Sequence, residues 1–392
     1  MTDMRKLYNE RCERVANAIK HTPGDRVPVS AMIETWAGHT IGQNVVDQAY
    51  DYSKLREANI AMARELGVDV LPPPLGVRCG NLYTAGASNE FFFFDKEGKS
   101  YNSVQHTEAP GGVMRAEEYP ELIADPYKFI LEKQLPRRYR ELDTTPEHKA
   151  MVLAQCAMTY QTYMAEAVAK LGGILAEEYG MPLLFKGSTE MPMDCLMDYF
   201  RGFKGISMDI KRRKEEVIAA CEALYPLMIK RAIHGVEAGI FPTIFIPLHI
   251  PTYLRPKDFE KFYWPTFKKM IDTMVENDIT PHLFMEGNWE PYYDFINQLP
   301  KRKVVGLIES GDFKKAKKAI GDTICIMGGM PTDVINNSSK EEAINYAKQL
   351  VDDLAPGGGY IFALDKVLIA PNDANMDTLK AVFEAVKEYG KY

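Results

Sequence analysis

Three side chains that bind metals well follow three apolar segments in the second half of the sequence. His249, Glu286 and Glu309 each stand where such a segment ends. A short apolar run bounded by turn residues predicts a buried strand, so a charge at its end is not there for packing. The ends of parallel strands in one sheet lie together, and imidazole and carboxylate are zinc ligands. The pattern predicts a metal site formed by these three residues.

The apolar segments belong to a longer alternation of strands and helices. We predict eight strands, at Val27–Ile33, Val68–Leu71, Pro182–Lys186, Pro242–Pro247, Thr280–Met285, Lys303–Ile308, Thr323–Met327 and Tyr360–Ala363. We predict helices at residues 4–21, Lys211–Ala232, Pro256–Glu276, Glu290–Gln298, Phe313–Ile320, Lys340–Leu354 and Asn375–Lys391. This order is typical of a single α/β domain, a (β/α)8 TIM barrel, preceded here by an N-terminal helix.

The connection between the second and third strands, about residues 75–180, is too long for a simple barrel unit. It contains a predicted hairpin within residues 91–104, with its turn near Lys96–Gly98, and a charged stretch from Glu117 to His148. Long ordered insertions of this kind often form lids or binding elaborations. We therefore expect one domain, residues 1–392, that is elaborated by this insertion.

Composition and charge argue against several classes of protein. The chain is 46% hydrophobic and 26% charged, with a formal net charge of −7, and offers no basic surface for nucleic acid or for a membrane. Charges run through its first residues, and no apolar segment approaches the roughly 20 residues that cross a bilayer. We expect a cytoplasmic protein. The six cysteines form no CxxC pair, which argues against a disulfide framework and against thiolate zinc.

The order of these signals resembles the uroporphyrinogen decarboxylase superfamily over essentially the whole chain. The resemblance lies in six segments: Gly24–Val29 (similar to the DRxPV entry into strand one), Phe262–Pro265, Glu286–Asn288, Val304–Glu309, Ile326–Pro331 and Gly357–Ala363. Members of that superfamily are single (β/α)8 barrels. The resemblance therefore implies the same fold as the strand pattern does.

Two chemistries occur within that superfamily. The decarboxylases hold substrate carboxylates with an arginine-rich motif after strand one, but the corresponding stretch Glu34–Thr40 contains no arginine. The acid that they carry on strand two is replaced by Val70–Pro74. A tetrapyrrole with many carboxylates needs Arg or Lys partners. The resemblance therefore favours the other branch, the zinc-dependent methyltransferases that exchange methyl groups with a separate corrinoid protein.

The residues at the end of the fifth strand indicate which methyltransferases of the superfamily the sequence resembles. The methyltransferases that act on coenzyme M carry HxCGN there, whereas Phe284 stands in the place of His and Glu286 in the place of Cys. Glu-Gly-Asn followed by Trp289 is similar to the methyltransferase components of anaerobic O-demethylases, which cleave aryl methyl ethers. Carboxylate and imidazole leave zinc a harder Lewis acid than thiolates do, which suits an ether oxygen.

The resemblance implies zinc as cofactor and a small aromatic methyl ether as substrate. The methyl group would pass to the Co(I) of a corrinoid protein. No DxHxxG corrinoid-binding motif occurs in the sequence, so that partner protein would carry the cobalamin. A homodimer is also compatible with the sequence.

Other residues are candidates for the same site. Glu190, after strand three, and Asp365, after strand eight, are candidate acid/base groups. Candidates to line an aromatic substrate pocket are Trp36, Phe200, Tyr253 and Trp289. His282 lies four residues deeper in its strand than Glu286, and we expect a core histidine with satisfied ring nitrogens.

Plainer interpretations remain open for each of these residues. A strand-end histidine can bond a loop carbonyl, a glutamate can form a salt bridge at the rim, and aromatic residues most often lie in the core. At the level of function, the open alternatives are a decarboxylase, a methyltransferase that uses methanol, a methylamine or a thiol, and a non-catalytic binding barrel.

Overall fold

Strands and helices alternate along the chain in a computed structural model, which describes residues 3–88, 112–234 and 243–392 and the backbone of 92–93 and 105–106. The strands are β1 Phe92–Phe93, β2 Gln105–His106, β3 Gly187–Ser188, β4 Thr243–Leu248, β5 Thr280–Asn288, β6 Val305–Ser310, β7 Cys325–Met330 and β8 Tyr360–Leu364. β3 to β8 form one six-stranded parallel sheet in sequence order, while β1 and β2 form a separate antiparallel pair.

The helices of the first half are α1 Asp3–Ile19, α2 Trp36–His39, α3 Val45–Tyr50, α4 Tyr52–Leu66, α5 Gly80–Gly86, α6 Tyr119–Ala124, α7 Pro126–Phe129, α8 Leu135–Arg138, α9 Pro146–Tyr163 and α10 Lys170–Tyr179. Those of the second half are α11 Pro192–Leu196, α12 Gly202–Arg212, α13 Lys214–His234, α14 Pro256–Asp258, α15 Trp264–Glu276, α16 Tyr293–Ile296, α17 Phe313–Ile320, α18 Thr332–Asn337, α19 Lys340–Leu354 and α20 Met376–Tyr389. Among the described residues, no helix combines the length and the apolar character that a bilayer span requires.

Four isolated bridges between parallel segments of the described chain close the sheet into a barrel. They join Val29 to Phe362, Ile33 to Leu368, Ser30 to Val70, and Leu71 to Leu183. The segments around Val29 and Val70 therefore occupy the places of the first and second strands, between β8 and β3. The predicted (β/α)8 barrel is confirmed, although single bridges replace continuous ladders around its first two strands.

The predicted elements agree best where the periodic pattern was strongest. α17 and α19 have the predicted bounds, and the predicted helix Pro256–Glu276 is α14, a π-helical segment Phe259–Tyr263 and α15 in direct succession. The predicted helix Glu290–Gln298 is shorter, since it consists of a 3-10 turn followed by α16, which ends at Ile296. Pro300 disfavours helical geometry in the residue before it, which limits the helix.

An antiparallel strand pair lies in the insertion, but its second strand, β2 at Gln105–His106, begins after the range 91–104 predicted for a hairpin. Phe92 pairs with His106 and Phe93 with Gln105. Its predicted turn near Lys96–Gly98 lies outside the described residues.

Helices of the insertion are fixed to the barrel by buried polar contacts. The Tyr119 hydroxyl donates to Asp209 Oδ2 at 2.9 Å, and Arg201 Nε donates to the same oxygen at 2.6 Å. All three residues are almost fully buried. A buried carboxylate needs such charged and hydrogen-bonding partners, so these contacts hold α6 against α12 in one arrangement.

A second buried charge cluster closes the N-terminal end of the barrel. Asp69 accepts hydrogen bonds from Arg14 at 2.7 Å, from both terminal nitrogens of Arg26 at 2.8 Å, and from the Val29 backbone N–H at 2.8 Å. Arg14 also donates to Asp25 at 2.8 Å. The cluster joins α1 to the first two strands and explains the Asp-Arg pair in the Gly24–Val29 segment.

Candidate active site

The end of β5 contains a β-bulge, and Glu286 lies within it. Met285 pairs with Ile308, but Asn288 pairs with Ser310, so β5 has one residue more than β6 over this stretch. Gly287 has φ +71°, in the left-handed region that favours glycine. Bulges redirect side chains and are common beside active sites.

His249 follows β4 and lies next to Glu286. Its Nε2 is 3.5 Å from Glu286 Oε1, and its Nδ1 is 2.7 Å from Asp198 Oδ2. Asp198 lies on a π-helical turn, Met197–Arg201, and its side chain is 13% exposed. Because Nδ1–H donates its hydrogen bond to the carboxylate of Asp198, Nε2 is left facing Glu286.

The pKa values of this pair shift in the directions that its neighbours dictate. Burial lowers the pKa of His249, but the hydrogen bond from its ring to Asp198 and the charges of Asp198 and Glu286 outweigh that effect and raise it to about 10. Burial raises the pKa of Glu286 to about 7; the charge of His249 opposes that rise, while Glu309, Asp198 and Glu34 reinforce it. A cation placed here would relieve this excess of negative charge.

Two donor atoms of the site, His249 Nε2 and Glu286 Oε1, have the spacing of neighbouring ligands of one small metal ion. In tetrahedral zinc with bonds of about 2.0–2.2 Å, neighbouring ligand atoms lie roughly 3.3–3.6 Å apart. The 3.5 Å between His249 Nε2 and Glu286 Oε1 falls within that interval. Within the described part of the chain, no three His, Cys, Asp or Glu side chains are grouped as a complete ligand set.

Glu309, the third predicted ligand, lies across the bulge from Glu286. Its Oε2 accepts the Gly287 backbone N–H at 2.7 Å. That hydrogen bond stabilises the bulge and occupies one carboxylate oxygen of Glu309. The site therefore offers two donors at the spacing of zinc ligands and a third carboxylate next to them, which is less than a complete ligand set.

Two acidic residues of the site were missed by the sequence analysis. Asp198 lies on a helix and not at a strand end; the available signal was that Asp194 and Asp198 stand four residues apart in the otherwise apolar stretch Met191–Phe200. Glu34 lies just after the first strand, and its charge raises the pKa of Glu286. Burial raises the pKa of Glu34 itself, opposed by the charge of Arg78.

Glu190, a predicted acid/base group, is buried beside the site. Tyr199 donates its hydroxyl hydrogen bond to Glu190 Oε1 at 2.6 Å, and Arg231 lies 4.0 Å from the same oxygen. Burial raises the pKa of Glu190, while Arg231 and Tyr199 lower it. The charge of His249 also reaches this carboxyl, so Glu190 lies within electrostatic range of the pair but is bonded elsewhere.

Asp365, the other predicted acid/base group, contacts a different part of the rim. Its Oδ1 accepts the Thr332 backbone N–H at 2.9 Å, at the start of α18, and its own N–H donates to the Met330 carbonyl. A carboxylate at a helix N-terminus satisfies a backbone donor that has no partner within the helix. These contacts give Asp365 a structural role between β7 and α18.

Three of the four predicted substrate-contacting aromatic residues lie in the core. Trp36, Phe200 and Trp289 are each at most 2% exposed. Trp289 Nε1 donates to the Glu286 carbonyl at 3.1 Å, so this indole holds the backbone of a site residue and offers no face to a ligand. Tyr253, by contrast, is 69% exposed and packs edge-to-face on Phe203 with ring centroids 4.9 Å apart.

Comparisons with known proteins place this barrel in a family. The family model described as uroporphyrinogen decarboxylase (URO-D) matches residues 145–389, more than half of the chain, and the protein belongs to that family. Among solved structures, a methyltransferase from Methanosarcina mazei is similar with a TM-score of 0.63 and 16% sequence identity, over 97% of this chain and 98% of that chain. At that identity the likeness shows the fold. No curated protein matches the sequence.

Proposed function

We propose that this protein is a methyltransferase that transfers the methyl group of a methoxylated aromatic compound to the cobalt of a separate, reduced corrinoid protein. The observation that carries the proposal is the His249–Glu286 pair, with donor atoms 3.5 Å apart at the C-terminal end of the barrel. Active sites of (β/α)8 barrels lie at that end. The structural likeness to a Methanosarcina methyltransferase supports the same class.

The charge of the site favours this class over a decarboxylase. Asp198 and Glu286 contact the imidazole of His249, and the charges of Glu309 and Glu34 act on Glu286. A polycarboxylate tetrapyrrole would meet like charge here and would need cationic partners. A neutral methyl ether carries no such penalty.

In the proposed reaction, the cobalt(I) of the corrinoid protein is a substrate and the nucleophile. A cobalt–carbon bond forms as the bond between the methyl carbon and the ether oxygen breaks, and the electron pair of the broken bond remains on the oxygen as phenolate. Phenolate leaves slowly unless its charge is stabilised. Zinc held by His249 and Glu286, with Glu309 beside them, would supply that Lewis-acid stabilisation when bound.

The chain's own residues have separate tasks in this scheme. His249 and Glu286 supply donors, and Asp198 fixes the imidazole so that Nε2 faces Glu286. The exposed Tyr253–Phe203 pair offers aromatic ring surface at the rim for an aryl substrate. A phenolate product acquires its proton from solvent or from an acid such as Glu190, which remains a prediction.

The test combines metal analysis with a methyl-transfer assay. Purified protein is mixed with reduced corrinoid protein and a panel of methoxyphenols, and methyl-cobalt formation is followed by absorbance. We expect about one zinc per chain and methyl transfer from an aryl methyl ether. The rate of methyl transfer should be about 10²- to 10³-fold lower in Glu286→Gln than in the wild-type protein. The matched control is Glu290→Gln, whose carboxylate pairs with Lys315 at 2.6 Å, and which should retain activity.

Other outcomes separate the parts of the proposal. Methylation from methanol, a methylamine or a thiol, but from no aryl ether, keeps the methyltransferase and discards the substrate. Absence of methylation from every donor overturns the proposal and favours a decarboxylase. Full activity without zinc overturns the role given to the metal.

A further inference from the structure

One helical segment contacts His249 twice, through two carboxylates four residues apart. Asp194, on α11, accepts hydrogen bonds through Oδ1 from the backbone N–H of His249 at 3.0 Å and of Ile250 at 2.8 Å. Asp198, one turn later, contacts the imidazole Nδ1. Residues four apart lie on the same helix face, so the segment holds both the backbone and the ring of His249.

The backbone donors that Asp194 satisfies lie just past the sheet. The ladder between β4 and β5 ends at the pair Leu248–Met285. The N–H groups of His249 and Ile250 therefore extend beyond the paired residues, where a buried donor without a partner would be destabilising. Asp194 replaces the missing sheet partner at the position where the strand delivers its functional residue.

The second oxygen of Asp194 is held from a different helix. Tyr263, at the end of the π-helical segment before α15, donates its hydroxyl hydrogen bond to Asp194 Oδ2. Asp194 has no exposed surface, and Tyr263 is 1% exposed and packs against Phe259 and Phe267. Burying a carboxylate is costly, and the three hydrogen bonds offset that cost only while all of them are intact.

We propose that Asp194 and Tyr263 are positioning residues that set the place of His249 Nε2 relative to Glu286, although neither contacts Nε2 or the Glu286 carboxylate. The inference rests on the proposed function in that it takes this pair as a zinc site. Without the Tyr263 hydroxyl, Asp194 Oδ2 loses its donor, and the carboxylate is free to turn away from the backbone that it holds. The ring of His249 then keeps its contact with Asp198, but its backbone is no longer held in place by Asp194.

The experiment compares two tyrosines with the same local chemistry. Tyr263→Phe removes a hydroxyl that donates to buried Asp194, and Tyr119→Phe removes one that donates to buried Asp209 at 2.9 Å, a carboxylate that also accepts from Arg201. Thermal unfolding, zinc affinity by chelator competition, and kcat and KM for methyl transfer are measured for each. Both substitutions should lower Tm by similar amounts, and this shared decrease measures the effect of losing one buried hydroxyl on the stability of the fold.

Only Tyr263→Phe should weaken zinc binding, by about 10- to 100-fold, and it should lower kcat more than it raises KM. Asp194→Asn, which keeps an acceptor oxygen, should retain tighter zinc binding than Asp194→Ala. Equal zinc affinity in the two tyrosine variants would overturn the proposal, as would wild-type affinity in Asp194→Ala.

Failure of the proposed function is seen separately, in the wild-type protein. If wild type binds no zinc, the ring signals of 15N-labelled histidine are compared instead, with His249 assigned through His249→Gln. A shift of that signal in Tyr263→Phe but not in Tyr119→Phe supports the positioning role without any metal. An unchanged signal in both variants refutes it.

Discussion

The two ends of the barrel both concentrate charged side chains, but in opposite balance. At the N-terminal end, the carboxylate of Asp69 is matched by Arg14 and Arg26 at 2.7–2.8 Å, and its side chain is 1% exposed. At the C-terminal end, His249 has Asp198 and Glu286 as direct neighbours, and Glu286 also experiences Glu309 and Glu34.

The difference separates charges that stabilise the fold from charges kept for chemistry. A buried carboxylate with two guanidinium partners and a backbone donor is fully satisfied, and removing any partner leaves an uncompensated charge. Several carboxylates around one imidazole repel one another, which weakens the fold locally and favours a bound cation. Natural proteins accept such local instability mainly at functional sites.

The largest effect is expected at the N-terminal end. Asp69→Ala removes the buried carboxylate that Arg14 and Arg26 share and leaves Arg14 with Asp25 alone, so the free energy of unfolding should fall by about 3–5 kcal/mol. Urea unfolding measures it, with Asp47→Ala as control, because the partly exposed Asp47, which pairs with Lys54 and completes the capping box of α3, should contribute only about 1 kcal/mol. Zinc affinity of the folded fraction should not change; if it falls with stability, the two ends are not independent.

The β-bulge should respond in both stability and zinc binding. Ala at position 287 must adopt φ +71°, and its Cβ would lie 3.0 Å from the Thr252 side chain, so Gly287→Ala should cost about 1–2 kcal/mol and also displace Glu286. Gly42→Ala is the matched control: Gly42 has φ +80° and open space around the added Cβ. Both variants should lose similar stability, and only Gly287→Ala should weaken zinc binding. Equal zinc affinities would argue against a functional bulge.

Between the two ends, His282 should give the protein a pH-dependent stability. Burial lowers the pKa of His282 to about 3, below its ordinary value of about 6.5, so it folds as neutral imidazole. The contribution of neutral His282 to the free energy of unfolding is fully present above the unfolded-state pKa of about 6.5. It is lost as the pH falls from there towards 3, with roughly 2 kcal/mol lost by about pH 5. His282→Leu should remove that part of the pH dependence in urea unfolding, whereas an identical slope in the variant would contradict it.

The smallest effect on stability is expected at the C-terminal end of the barrel. Glu286→Gln removes one of several mutually repelling carboxylates, so the unfolding free energy of the zinc-free protein should stay the same or rise by up to about 1 kcal/mol. The same variant should bind zinc more weakly, because it lacks the carboxylate donor of Glu286. A loss of stability comparable to that of Asp69→Ala would show that this end is held together by its charges, and the comparison between the two ends would fail.

The sequence predicted the fold well because strand–helix alternation and helix periodicity are local signals. It identified His249, Glu286 and Glu309, which the structure brings together, since parallel strand ends must converge. It could not separate Glu190 and Asp365 from the pair, because which partner binds a carboxylate depends on side-chain contacts such as Tyr199 and Thr332.

Two further features of the molecule depend on tertiary context. Trp36 and Trp289 are of a residue type that is common in binding pockets, but packing places both in the core. His282 is a core histidine as expected, yet neither ring nitrogen has a hydrogen-bond partner among the described residues. Sequence patterns report that a residue is buried but not whether its polar atoms are satisfied.

The uneven closure of the barrel has a consequence for its motions. Ladders of four to six paired residues join consecutive strands from β4 to β8, whereas only one or two isolated bridges join the segments around Val29 and Val70 to each neighbour. Backbone amides along this seam should exchange with solvent by local opening at a lower free energy than those of β5 and β6. The barrel wall can therefore loosen beside Glu34 while the strands that carry His249 and Glu286 keep their register.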